Sequence, residues 1–304
     1  MSRDEEPDTG RRDEPRERGG GTQGPVVLTV RDARCRLAAD TAASTGATKN
    51  TDAAKNTDGA DGAASGNGRL VFDGIGLDIQ AGRIVDLVGP SGSGKSSLLT
   101  CMAQLNPRAT ATLTLHGRPA SDFTMQQWRH HVAYLPQKST LFGQTVAEAI
   151  RFPFTLGVAK QLPSPDDAAI RSALNAVGLA DIELTRDPHD LSGGQSARVS
   201  MLRSILTKPD VLLADEVDAG LDDDTARLVA VYMARTAHDT GMAIVRVRHR
   251  PPDGMADCIA TLADGRLTMR DTSSRAMEPT ATPSAAAGAA SDAASITTSE
   301  RSAS

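Results

Sequence analysis

The sequence predicts an α/β fold: a mainly parallel sheet covered on both faces by helices. Three observations carry this. Residues 84–88, 211–214 and 243–247 are short, bounded runs that are apolar almost throughout, as strands buried on both faces should be. Stretches of helical periodicity separate them. A glycine-rich loop directly follows the first run and opens a helical stretch.

Taken in order, residues 25–30 are β-branched and short, and read as an edge strand. Residues 84–88 form a buried strand, and 97–104 a helix. Residues 112–115 read as a strand closed by a turn at His116 and Gly117, and 132–135 as a strand ended by Pro136. The next helix carries a start signal. Ser164 supplies a capping hydroxyl, Pro165 occupies the first turn, and Asp167 follows three residues on. Ile170, Ala173, Leu174 and Val177 then share one apolar face, and Gly178 stops it. Residues 196–206 are helical, 211–214 a strand, and 222–238 a long helix with Gly241 just past its end. Residues 243–247 and 259–262 are the last core strands, and Asp264-Gly265 turns the chain into a strand at 267–269.

Composition bounds what lies outside this pattern. The chain has 304 residues, of which only 3% are aromatic, too few for every part to pack into a core. Residues 1–24 are charged and aperiodic, 38–68 are a low-complexity insertion, and 273–304 are rich in Ser, Ala and Thr. All three read as loose segments around one ordered domain at 25–272. Net charge is -5, which argues against nucleic acid as a partner. Cys35, Cys101 and Cys258 have no metal or disulfide spacing and read as small buried hydrophobes in a reducing compartment. No secretory leader is apparent at 1–24, and no run approaches the roughly 18–20 apolar residues that span a bilayer. Any service to a membrane is expected from the water side.

Gly89-Pro90-Ser91-Gly92-Ser93-Gly94-Lys95-Ser96 fits the phosphate loop G-x-x-x-x-G-K-[ST], in the strand–loop–helix context it needs. Glycines let backbone N–H groups approach phosphate oxygens, and the helix end adds a positive dipole. Lys95 should reach the β- and γ-phosphates of ATP, and Ser96 should ligate Mg²⁺. Ser97 completes the expected nucleotide-binding set. Downstream, residues 211–214 run into Asp215 and Glu216. Acids at the end of a buried strand are costly unless paired or metal-bound. Asp215 suits the Mg²⁺ shell and Glu216 a general base for attacking water.

Leu191-Ser192-Gly193-Gly194-Gln195 precedes that strand and makes a second anion site ahead of the helix at 196–206. A chain with one phosphate loop has no use for a second such end, unless it serves a neighbour's nucleotide across a two-fold dimer.

LSGGQ between a phosphate loop and a hydrophobic-Asp-Glu strand resembles the ATP-binding cassette family, over nearly all of 69–272. The resemblance implies a P-loop NTPase core with an antiparallel β subdomain and an α-helical subdomain at about 138–196. It implies an ATPase that works as a head-to-tail dimer with a second copy of itself. It further implies an integral membrane permease as partner, at the inner face of the cell membrane. Gln137, after Tyr134-Leu135-Pro136, matches the Q-loop glutamine, a Mg²⁺ and water contact. Asp222, in Ala219-Gly220-Leu221-Asp222, matches the D-loop aspartate, and His249 the switch histidine at the γ-phosphate. By the same resemblance Ser192, Gly193, Gly194 and Gln195 cap the partner copy's nucleotide. The stretch 128–156, through Leu141-Phe142-Gly143 and Phe152-Pro153-Phe154, looks like bacterial Fet-type iron-export ATPases. Two other readings stay open: a soluble cassette ATPase without a transporter, and a regulator that binds nucleotide without turnover.

Departures from the family pattern set further expectations. Where adenine usually stacks on an aromatic ring, this chain has Arg34-Cys35-Arg36-Leu37, and Phe72 is a poor substitute. Adenine selectivity is therefore expected to be weak. Asp86 interrupts an apolar strand, and Arg246 and Arg248 share one face of another. Ala219 stands where the D-loop usually has serine.

Overall fold

The computed structural model describes residues 24–36, 69–138 and 140–272. The predicted tails, apart from Gly24, and the insertion at 38–68 lie outside these residues.

The strands are β1 Val26–Arg36, β2 Leu70–Gln80, β3 Ile84–Val88, β4 Ala109–Leu115, β5 Arg118–Pro119, β6 Val132–Leu135, β7 Val211–Asp215, β8 Ala243–Val247, β9 Cys258–Ala263 and β10 Arg266–Asp271. The helices are α1 Lys95–Met102, α2 Met125–His131, α3 Val146–Arg151, α4 Asp167–Ala176, α5 Gly193–Leu206 and α6 Asp223–Thr240. They build two sheets. A six-stranded sheet has the order β10-β9-β3-β8-β7-β6 and is parallel throughout, apart from β10, which pairs antiparallel with β9. A four-stranded sheet, β2-β1-β4-β5, is antiparallel.

Side-chain alternation divides the six-stranded sheet into two cores. Ile84, Leu212 and Ile244 face a core built with α3, α4, α5 and α6. Val85, Leu87, Leu213 and Val245 face the other, which contains α1, Trp128 and the antiparallel sheet. Trp128 is fully buried there, and its indole N–H donates to the Met102 carbonyl at 2.9 Å. The three cysteines are buried too, and burial pushes the Cys101 thiol up to about 11, so it stays protonated and inert.

Four local expectations need correction. β1 is longer than 25–30 and is not an edge: it pairs with β2 on one side and β4 on the other, because Val27, Leu28 and Val30 are needed inside. The sequence reading assigned no element to β2, whose glycines at 74 and 76 and shifted register break the alternation that reveals a strand. Ser164 does not cap α4. Asp166 does, its carboxylate accepting from the Ala169 N–H at 2.8 Å, since a carboxylate two residues later reaches the free N–H groups equally well. Gly193 and Gly194 do not precede α5 but form its first turn.

Sheet order positions everything that follows. β3, β8, β7 and β6 are adjacent and parallel, so all four end at the same edge of the sheet. Just beyond those ends come the phosphate loop, His249, the Asp215-Glu216 pair and Gln137. A parallel sheet gathers loops distant in sequence at its carboxyl edge, which is where such folds bind ligands.

Candidate active site

The phosphate loop turns sharply because its glycines permit it. Gly89 has φ 149°, and a Cβ there would fall 2.1 Å from the Leu262 carbonyl oxygen. Gly94 caps α1 in a left-handed conformation, φ 100°, and a Cβ would meet the Val71 side chain at 2.5 Å. Lys95 lies along the loop, donating to the carbonyls of Gly89 at 2.9 Å and Pro90 at 3.0 Å. A cleft of about 350 Å³ opens here, bounded by Ser91, Gly92, Gly94, Lys95, Ser96 and Ser97, with Val71, Glu216 and His249 completing its wall.

Across this cleft the acidic strand end is tightly held. Asp215 accepts from the Ser96 hydroxyl at 3.1 Å through one oxygen and from the Tyr134 hydroxyl at 3.0 Å through the other. Burial and the neighbouring carboxylate raise the Tyr134 pKa, so this phenol remains a donor. Sequence reasoning passed over Tyr134, although it sits in the motif that located Gln137. Glu216 adopts a left-handed backbone, φ 52°, a conformation costing a side-chain-bearing residue about 1–2 kcal/mol. Its carboxylate is gripped on both sides: Gln137 Nε2 donates to one oxygen at 2.7 Å, and His249 Nε2 lies 2.7 Å from the other. Three residues scattered over more than 110 positions thus share one carboxylate.

These donors fit a hard divalent cation. A serine hydroxyl and a carboxylate 3.1 Å apart, beside a phosphate loop, are oxygen ligands of the kind Mg²⁺ takes alongside phosphate. Among the described residues no cluster of three or more His, Cys, Asp or Glu side chains could hold a metal without help.

Ser192 and Gln195 form a capping box on α5. The Ser192 hydroxyl accepts from the Gln195 N–H at 3.3 Å, and the Gln195 amide accepts from the Ser192 N–H at 2.9 Å. Space around Gly193 is open. A Cβ on Gly194 would come within 2.9 Å of Leu221, so α5 begins against the segment after Glu216. Ser192, Gly193 and Gly194 do not line the Lys95 cleft. Asp222 caps α6, accepting from the N–H and hydroxyl of Thr225. Phe72 is buried in the core, and among the described residues no Phe, Tyr or Trp lines the cleft.

Comparison with known proteins fits this geometry. A family model described as "ABC transporter" matches residues 72–219. The chain is 32% identical over 193 residues to the probable iron export ATP-binding protein FetA of Escherichia coli, covering 63% of this chain and 84% of that one. It is 34% identical over 203 residues to the hemin import ATP-binding protein HmuV of Streptomyces coelicolor, covering 66% and 72%. Among solved structures, the dimeric bacterial ABC transporter cassette MJ0796 matches with a TM-score of 0.62 at 19% identity, covering 80% of this chain and 98% of that one; this likeness speaks to the fold. With the phosphate loop and the acidic strand inside the matched residues, the chain belongs to the ABC transporter family, among its ATP-binding subunits.

Proposed function

We propose that this protein hydrolyses MgATP as one of two copies closed head-to-tail, and so powers a separate membrane permease. The observation that carries this reading is the Glu216 carboxylate, held between Gln137 and His249 beside the phosphate loop. Contacts to both oxygens fix the direction in which the carboxylate points, as a general base for water needs. In this reading the loop from Gly89 to Ser97 receives the phosphates and Lys95 turns from the loop carbonyls toward the β- and γ-oxygens. His249 orients Glu216 and contacts the γ-phosphate. Ser96 and Asp215, joined by Gln137 once it leaves Glu216, would hold Mg²⁺, which when bound neutralises phosphate charge. Ser192, Gly193, Gly194, Gln195 and Asp222 complete the site of the other copy. That assignment suits an exposed capped helix start that does not line its own chain's cleft.

The domain responsible is residues 25–272, with an insertion at 38–68 and a helical subdomain at about 138–196. It acts at the cytoplasmic face of a membrane, as a peripheral subunit. Among the described residues no helix is long and apolar enough to cross a bilayer. The narrower reading is iron export, which rests on the likeness of 128–156 to Fet-type ATPases and on the 32% identity with the iron export relative.

Glu216→Gln should leave nucleotide binding intact and lower ATP turnover by about 10²- to 10⁴-fold. Near-normal turnover would remove Glu216 from its role. A wild-type chain that binds ATP with no turnover would be a regulator. A chain that never co-purifies with an integral membrane protein would be a cassette without a transporter.

A further inference from the structure

Five charged side chains, four of them buried and Asp253 partly so, form one connected cluster. Asp86 of β3 faces Arg246 of β8 in register, with Arg246 Nε 2.5 Å from Asp86 Oδ1. Arg246 also reaches Asp253 at 2.9 Å. Arg248 lies 2.8 Å from Asp253, 3.8 Å from Asp86, and donates through Nε to Asp218 at 2.9 Å. Asp86, Asp218, Arg246 and Arg248 are each less than 9% exposed. A buried ion cluster is poor evidence for stability, because apolar residues of similar volume commonly do as well or better. What apolar residues cannot supply is direction, and here the directions are informative.

The strand end 247–250 grips the segment 216–223 residue by residue. The Val247 carbonyl accepts from the Glu216 N–H at 3.2 Å. Arg248 holds Asp218. His249 touches the Glu216 carboxylate. Arg250 donates to the Leu221 carbonyl and pairs with Asp223. Glu216 is the strained residue within that segment. The β7 register holds it from before, Gln137 holds its carboxylate, and this seam holds it from after. Arg248 is the buried rung of the seam, and through Asp86 and Arg246 it is tied to the strand that carries the phosphate loop.

We infer that Arg248 and Asp218 are positioning residues for ATP hydrolysis: their buried ion pair fixes the turn carrying Glu216 against the strand end carrying His249. Neither residue lines the Lys95 cleft, so the pair acts through the 2.7 Å Glu216–His249 contact. The inference rests on the roles proposed above for those two residues.

The test compares Asp218→Asn, Arg248→Met and Arg248→Lys with Glu216→Gln in the full chain. Turnover, ATP affinity and thermal midpoint are measured for each. Asp218→Asn and Arg248→Met should lose about 10- to 100-fold in kcat, the scale of a small misplacement, while ATP affinity stays within about threefold. Arg248→Lys should recover part of the loss. Asp218→Asn added to Glu216→Gln should cost little more than Glu216→Gln alone, because both act on one group. A folded Asp218→Asn with wild-type kcat overturns the inference while leaving Glu216 in its role, provided Glu216→Gln is slow. Equal losses in affinity and kcat, or an Asp218→Asn chain that does not fold, assign the pair to folding and overturn it as well. Normal turnover in Glu216→Gln overturns the underlying reading, and this inference with it.

Discussion

Carboxylates that would be liabilities alone are each assigned a partner in this molecule. Asp215 spans Ser96 and Tyr134, Glu216 spans Gln137 and His249, and Asp86 is absorbed by Arg246 and Arg248. Among the described residues, no Phe, Tyr or Trp side chain lines the cleft beside the phosphate loop. Val71 lies in its wall where a ring could have stacked, and Phe72 next to it points into the core. A stacking ring is worth about 1–3 kcal/mol per base, or roughly five- to a hundredfold in affinity. Binding should therefore rest on the phosphate end, and ATP and GTP should bind within a fewfold of each other. Titration of both nucleotides checks this, and a strong preference for ATP would refute it.

At the scale of elements, helix starts are set by side-chain oxygens. α2, α3, α4, α5 and α6 each begin at a Thr, Ser or Asp that accepts from a backbone N–H of the first turn. For α4 the cap is Asp166, and Ser164 lies outside the helix. Asp166→Ala should therefore lower stability by about 1 kcal/mol, and Ser164→Ala should change it by no more than a few tenths. Chemical denaturation of the two variants distinguishes them, and a larger loss for Ser164→Ala would restore it as the cap.

The whole molecule should weaken in acid. Arg31 holds the Asp78 carboxyl below the usual carboxylate range, chiefly by a hydrogen bond. Burial pushes Asp210 up, but hydrogen bonds from His116 and His131 bring it below that range. Hydrogen bonds from Thr225, led by its N–H, lower Asp222. At Asp253 burial is outweighed by the charge of Arg246. A carboxyl with a lowered folded-state pKa contributes stability that is complete above its unfolded value of about 3.9 and is lost as pH falls through the folded value. Asp86 works in the opposite sense, because burial raises it. With four groups against one, the thermal midpoint should drop on going from pH 7 to about pH 3.5. An unchanged or higher midpoint would contradict the assignment of these pairs. Asp210 makes the effect long-range, since it links the turn after β4 and the end of α2 to the start of β7.

Contiguous chemistry was legible without coordinates. Strands β3, β6 and β8 appear at the residues the apolar runs indicate, because a strand buried on both faces leaves no position for a polar residue without a partner. The phosphate loop, the Asp215-Glu216 pair and LSGGQ are short motifs whose spacing is their chemistry. Three features depended on the tertiary structure. β2 is hidden by two glycines and a shifted register, so it can be recognised only beside β1. Asp86, Arg246 and Arg248 look misplaced until the pairing of β3 with β8, and the turn after β7, supply their partners, residues up to 160 positions away. The grip of Gln137 and His249 on Glu216 exists only because three parallel strands end side by side. Local propensity and motif spacing are properties of neighbours along the chain. A buried charge or an oriented carboxylate is stabilised by neighbours in space, and strand order determines which residues those are.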